Sequence, residues 1–175
     1  MNETKIDELR KRRARLASIE RAKRAREVNG PRIVASLAPA IGDGVTLADF
    51  DIDVEPPLPI EPLQLKSSSE WTELALSKDR VLRIAACIEE NLGSFDGLVG
   101  LLANDYLGLC RVRRISITGM VDAADAIEEA VVFYPRDIAG AILIDCYKSP
   151  PGYPPFSLYV QGRDLAEALR PCRAD

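Results

Sequence analysis

The chain has 175 residues, 47% of them hydrophobic, a mean hydropathy of −0.05 and a formal charge of −4 from 23 Lys/Arg and 27 Asp/Glu, values that suit one water-soluble domain with a tail. It contains no His, which excludes Ser-His-Asp triads, Cys-His dyads and His-ligated metals and leaves only carboxylates, Lys, Tyr or Cys for catalysis; no enzyme activity, cofactor or metal is expected. No apolar run approaches the ~18 residues of a membrane helix and the start lacks a signal-peptide core, which leads to the expectation of a cytoplasmic protein with no membrane partner.

The charge is sorted along the chain. Residues 1–32 hold eleven Lys or Arg against five acids, a net +6, while the remainder carries twelve against 22, a net −10. From residue 5 to 28 there is neither Gly nor Pro, and Ala, Arg, Lys, Glu and Leu dominate, so a helix is predicted. Asn29-Gly30-Pro31 reads as its stop. Ile6, Leu9, Leu16 and Ile19 make a thin apolar stripe, interrupted as a coiled-coil heptad by Arg13 and Glu20. The basic residues point in nearly every other direction, and Arg10, Lys11, Arg12, Arg13, Arg15, Arg21, Lys23, Arg24 and Arg26 are the predicted polyanion contacts.

Residues 31–62 read as a connector. A short apolar stretch at 32–37 leads to a turn at Gly42-Asp43-Gly44, which lacks the Lys-Ser/Thr of a phosphate loop, and then to a strand-like 45–54. Pro56, Pro57, Pro59 and Pro62 mark a polyproline segment or an edge strand. In the body, residues 63–175, strands are expected at 63–66, 71–76 and 81–88, the last equally readable as a helix. A helix capped by Ser94 is predicted over 95–106 and a strand over 109–118, whose Arg111, Arg113 and Arg114 either extend the basic track or guard a sheet edge. Further strands are predicted at 130–134, 139–147 and 156–160, with a closing helix at 164–169.

Two groups of reactive side chains stand out. Asp122, Asp125 and Glu129 would share one face of a helix over 121–130, a spacing that a divalent metal could use, although solvated acids are the commoner case. Cys87, Cys110, Cys146 and Cys172 match no zinc or redox spacing and read as buried free thiols.

The basic arm, the Pro-broken connector and the strand-rich body resemble coat proteins of small icosahedral plus-strand RNA viruses, of the bromovirus and tymovirus kind. The segments carrying the resemblance are 109–118, Glu129-Ala130-Val131-Val132-Phe133-Tyr134-Pro135-Arg136-Asp137, and the closing pair 140–147 and 156–161. The resemblance implies a mainly β, jelly-roll-like sandwich with one inserted helix behind a basic helical arm, eight strands over 45–161, RNA neutralised by the arm, self-association through the body and a place in the virion. An α+β domain with a three- or four-stranded sheet is the alternative fold. The alternative function is a phage- or plasmid-type regulatory module whose basic helix docks on an acidic partner.

Overall fold

A computed structural model describes residues 3–103, 106–147 and 150–173, with backbone alone at 3–7 and 9. The first element is a single helix, α1 (Glu3–Ile41), about 58 Å long at 1.5 Å per residue. It passes through Asn29-Gly30-Pro31, where the sequence predicts a stop, and carries Pro31 and Pro39 in its interior. An internal proline costs about 3 kcal/mol, since it removes one hydrogen bond and crowds the preceding turn. Beyond Pro31, however, Ile33, Val34, Leu37 and Ile41 are buried, at about 1.5–3 kcal/mol each. Burial therefore outweighs the breaker, and the stop falls at Gly42, whose φ of 90° provides the left-handed cap while its N–H donates to the Ala38 carbonyl at 2.8 Å.

A seven-stranded sheet follows, antiparallel at every pairing, in the order β1-β4-β3-β5-β6-β7-β2. Its strands are β1 (Phe50–Asp51), β2 (Trp71–Leu76), β3 (Gly97–Leu101), β4 (Leu109–Val112), β5 (Val131–Pro135), β6 (Ala141–Cys146) and β7 (Phe156–Gln161). The helices are α2 (Leu65–Ser68), α3 (Lys78–Asn91), α4 (Ile117–Ile127) and α5 (Arg163–Ala168). The architecture is mixed α+β, one sheet with helices against it, and the expectation of a mainly β jelly roll is corrected accordingly. Seven strands form one sheet in place of two facing sheets, and the α+β alternative holds with a larger sheet than the three or four strands expected.

Three local readings account for the difference. The segment at 81–88 lies in α3, where Val81, Ile84, Ala85 and Ile88 fall at helical spacing and are buried, and Ser77 caps the first turn by accepting from Arg80 N–H at 3.3 Å. The helix predicted at 95–106 is β3: Gly-Leu-Val-Gly-Leu, covered on both faces, shows a continuous apolar run with no alternation. Glycine is required there, because a Cβ on Gly97 would collide with the Tyr134 carbonyl of the neighbouring strand. Finally, the segment at 109–118 is a strand only to Val112; Ser116 caps α4, accepting from Gly119 N–H at 2.9 Å. Between 45 and 54 only Phe50–Asp51 is strand, and 62–68 is a helical turn. The strand at 71–76 and the three C-terminal strands stand close to where the sequence puts them.

The main core lies between one sheet face and the helices, with Phe133, Ile142, Ile144 and Leu158 meeting Met120, Ile88 and Leu37. The opposite face holds a smaller apolar cluster, Val132, Tyr134, Ala141 and Leu143, covered by Leu58, Ile60 and Leu65. Cys87 and Cys172 form a disulfide, Cα–Cα 5.5 Å, joining α3 to the C-terminal segment. The expectation of four free thiols therefore holds for Cys110 and Cys146 alone. Spacing along the chain carries no information about this pair, since 85 positions separate them and the fold brings them together.

The α1–α4 crossing depends on Gly119, where a Cβ would strike the Pro39 carbonyl. Gly119→Ala is expected to lower unfolding free energy by about 2 kcal/mol in urea titration, against the usual gain from Gly to Ala in a helix. Gly44→Ala, with open space around the new methyl, should stay within about 0.5 kcal/mol of the parent.

Candidate nucleic-acid interface

Helix α1 has two unlike halves. From Arg10 to Glu20 every side chain is exposed, as are Arg21, Lys23 and Arg24, so eight cations of the predicted set, Arg10, Lys11, Arg12, Arg13, Arg15, Arg21, Lys23 and Arg24, stand in solvent. At 100° per residue they are spread around the whole circumference. Arg21 Nε also donates to the Ala17 carbonyl of its own helix at 3.2 Å. Leu16 and Ile19 of the apolar stripe are 55% and 53% exposed, while the side chains of Ile6 and Leu9 lie outside the described residues.

Arg26 differs from the rest. Its guanidinium is partly buried and donates to four backbone carbonyls: Tyr106 at 3.3 Å, Leu107, Leu47 at 3.0 Å and Phe50 at 2.5 Å. These belong to the turn before β4, to the 3-10 turn Leu47–Asp49 and to β1. Arg26 thus ties α1 to two loops that would otherwise present unpaired carbonyls, a use of charge that the sequence cannot distinguish from phosphate contact. The same tie brings Gly30 against Leu47, leaving no room for a side chain at that position.

The three arginines after β3 do not form one track. Arg111 is on the sheet face opposite the helices, in register with Leu98, which is in turn in register with Tyr134. Arg114 lines a separate hollow with Glu89, Glu90 and Ser116. Arg113 is exposed just past the end of β4.

The acidic group at the end of α4 does not assemble. Lys78 Nζ pairs with Asp122 at 2.9 Å and Asp125 at 2.8 Å, which raises the lysine pKa. The helix closes with Glu128 in the left-handed region at φ 58°, turning Glu129 away to accept from Ala103 N–H at 3.1 Å, and burial raises the Glu129 pKa. Among the described residues no group of three or more His, Cys, Asp or Glu is placed to hold a metal. Burial pushes the Cys110 and Cys146 thiols up to about 11, so both are protonated and weakly nucleophilic near neutral pH. Among the described residues no helix is long and apolar enough to cross a membrane.

No family model, curated protein or solved structure matches the chain.

If Arg26 is structural, Arg26→Ala should lower unfolding free energy by about 2–4 kcal/mol, because it strands buried carbonyls that a cation had satisfied. Arg24→Ala, two positions away and exposed, should change it by less than about 0.5 kcal/mol. Parallel urea titrations of the two variants measure the contrast.

Proposed function

We propose that the protein is a non-enzymatic nucleic-acid-binding protein that grips single-stranded RNA, or a similar polyanion, through residues 10–24 of α1, with the α+β body as the carrier. One observation carries this reading: eight cations stand exposed on the free half of a helix, while the next one along, Arg26, is consumed in fixing that helix to the body. Cations on all sides suit a ligand that surrounds the helix, such as a looped strand, better than a flat surface. With Arg26 removed from the contact set, eight phosphate contacts at about 0.7 each give a salt slope near −6 at most, and Glu8 and Glu20 reduce it.

Self-association of the body, and with it a capsid-like role, is the less supported part of the proposal. It rests on the arm alone, since the eight-strand count behind the coat-protein resemblance does not hold in the single sheet. Docking of α1 on an acidic protein partner is the second reading, favoured by the exposure of Leu16 and Ile19 beside the cations. Apolar side chains contribute little to phosphate binding and much to a helix-in-groove contact.

The test keeps the chain at full length. Replacing the eight exposed cations with Gln, a good helix former, should cut affinity for a 20-nucleotide single-stranded RNA by 100-fold or more at low salt. It should also flatten the slope of log affinity against log salt from about −5 to near zero. Undiminished RNA binding by that variant refutes the arm reading. Loss of a protein partner on Leu16→Ser with Ile19→Ser, RNA affinity being unchanged, would favour the second reading.

A further inference from the structure

The C-terminal segment is pinned to α3 by the Cys87–Cys172 disulfide. Cys172 ends the 3-10 turn Arg170–Cys172 and is 5% exposed, whereas Cys87 is half-buried. Both cysteines line an open hollow of about 240 Å³ together with Arg80, Arg83 and Arg173. The helix itself gathers part of this set: Arg80, Arg83, Cys87 and Asn91 follow one another at spacings of three and four residues, which puts them on one face.

The electrostatics of the hollow are one-sided. No acidic side chain lines it, so three guanidiniums leave a formal +3. Glu89 and Glu90, the nearest acids along α3, line a separate hollow, and Glu167 of α5 is paired with Arg170 at 3.2 Å. Among the described residues the Arg80 and Arg83 side chains make no hydrogen bond or ion pair, and Arg173 donates once, to the Glu70 carbonyl at 3.4 Å, which leaves its charge uncompensated. Asn91 Nδ2, which donates to the Cys87 carbonyl at 2.9 Å, also lies 3.5 Å from Cys87 Sγ and 3.6 Å from Cys172 Sγ. A sulfur departing as thiolate is met there by an amide donor and by positive charge, both of which lower thiol pKa and improve the leaving group.

We propose that Cys87–Cys172 is a thiol-exchange site for small anionic thiols, of the class of a carboxylate-bearing peptide thiol, with Cys87 carrying the mixed disulfide. The incoming thiolate, its proton already lost to water, attacks Cys87 Sγ, the more exposed sulfur. The S–S bond breaks, and its electron pair leaves on Cys172 Sγ beside Asn91. A second thiolate attacks the sulfur of the attached thiol, forms the small-molecule disulfide and releases Cys87 as a thiolate. Two small thiols are thereby oxidised to one disulfide while the protein disulfide is reduced to two thiols, with no other reductant. The three guanidiniums draw carboxylates into the hollow and raise the local concentration of the attacking thiol. The site uses no residue of α1 and rests on nothing proposed for that helix.

Exchange kinetics of the oxidised full chain test it, with glutathione, which bears two carboxylates and one ammonium, against cysteamine, which bears an ammonium alone. Each rate is divided by the rate of the same thiol with the uncharged disulfide of 2-mercaptoethanol. So normalised, glutathione should react about tenfold or more faster than cysteamine at low salt. The preference should fall to within about twofold of unity in 1 M NaCl, where charges are screened beyond ~3 Å. Arg80→Gln with Arg83→Gln should cut the low-salt preference about threefold or more without lowering the cysteamine rate. Acid quenching and peptide mapping should find the tripeptide on Cys87. The salt series on the unaltered chain tests the same electrostatics without any substitution. A disulfide that neither thiol opens, absence of a preference for glutathione, a preference that salt or the double variant leaves intact, or an adduct on Cys172 overturns the proposal.

Discussion

Strands β1 and β2 are consecutive in sequence and stand at opposite edges of the sheet. Six inter-strand steps of about 4.8 Å separate them, so the chain must travel roughly 29 Å between Asp51 and Trp71. A helix on this path would bury the face and shorten the reach per residue, whereas an extended polyproline segment advances about 3.1 Å per residue without needing partners for its backbone. Pro56, Pro57 and Pro59 favour that conformation, Pro62 opens the helical turn that follows, and Leu58, Ile60 and Leu65 turn inward to cover the central strands. The connector is therefore a narrow strap over a wide sheet. Its narrowness leaves hollows of about 280 and 650 Å³ beside it, both bordered by Tyr134, a direct consequence of the strand order.

The same economy of covering explains α1. Its second half is part of the core, with Leu37 and Ala40 buried where α4 crosses. In its first half the side chains from Arg10 to Glu20 are exposed, and the sequence changes accordingly, from apolar residues at helical spacing to cations in every direction. Arg26 stands at the junction and converts a helix lying on the body into one anchored to it, through carbonyls of two separate loops. A rigid junction would matter for the polyanion arm proposed above, since a helix already formed avoids the ordering cost that a disordered basic tail meets on binding.

How much of this could be read beforehand depended on where each residue's partner lies. The C-terminal strands are legible because Val131-Val132-Phe133-Tyr134 and Ala141-Ile142-Leu143-Ile144 are short apolar runs rich in β-branched or aromatic residues and bounded by turns. Strand β3 is not legible as a strand, because a run buried on both faces lacks alternation and its two glycines resemble breakers away from their neighbours. Asn29-Gly30-Pro31 carries every local mark of a helix end, yet the apolar stripe beyond it, at 33, 37 and 41, is also helical, and tertiary burial decided between them. The disulfide, the Lys78 bridge to Asp122 and Asp125 and the register of Arg111, Leu98 and Tyr134 all join residues distant in sequence. Local pattern holds no trace of such pairs.

Arginine shows most clearly what composition alone leaves open. Arg21 donates to its own helix, Arg26 to loop carbonyls and Arg136 to Asp96, while Arg111 and Arg163 have no such partner among the described residues. Each counts as one positive charge in the sequence, but only those without an internal partner keep their full donor capacity for an anion from outside. A charge map therefore overstates a binding surface wherever guanidiniums serve the backbone. In this fold that correction takes Arg26 out of the contact set proposed for the arm.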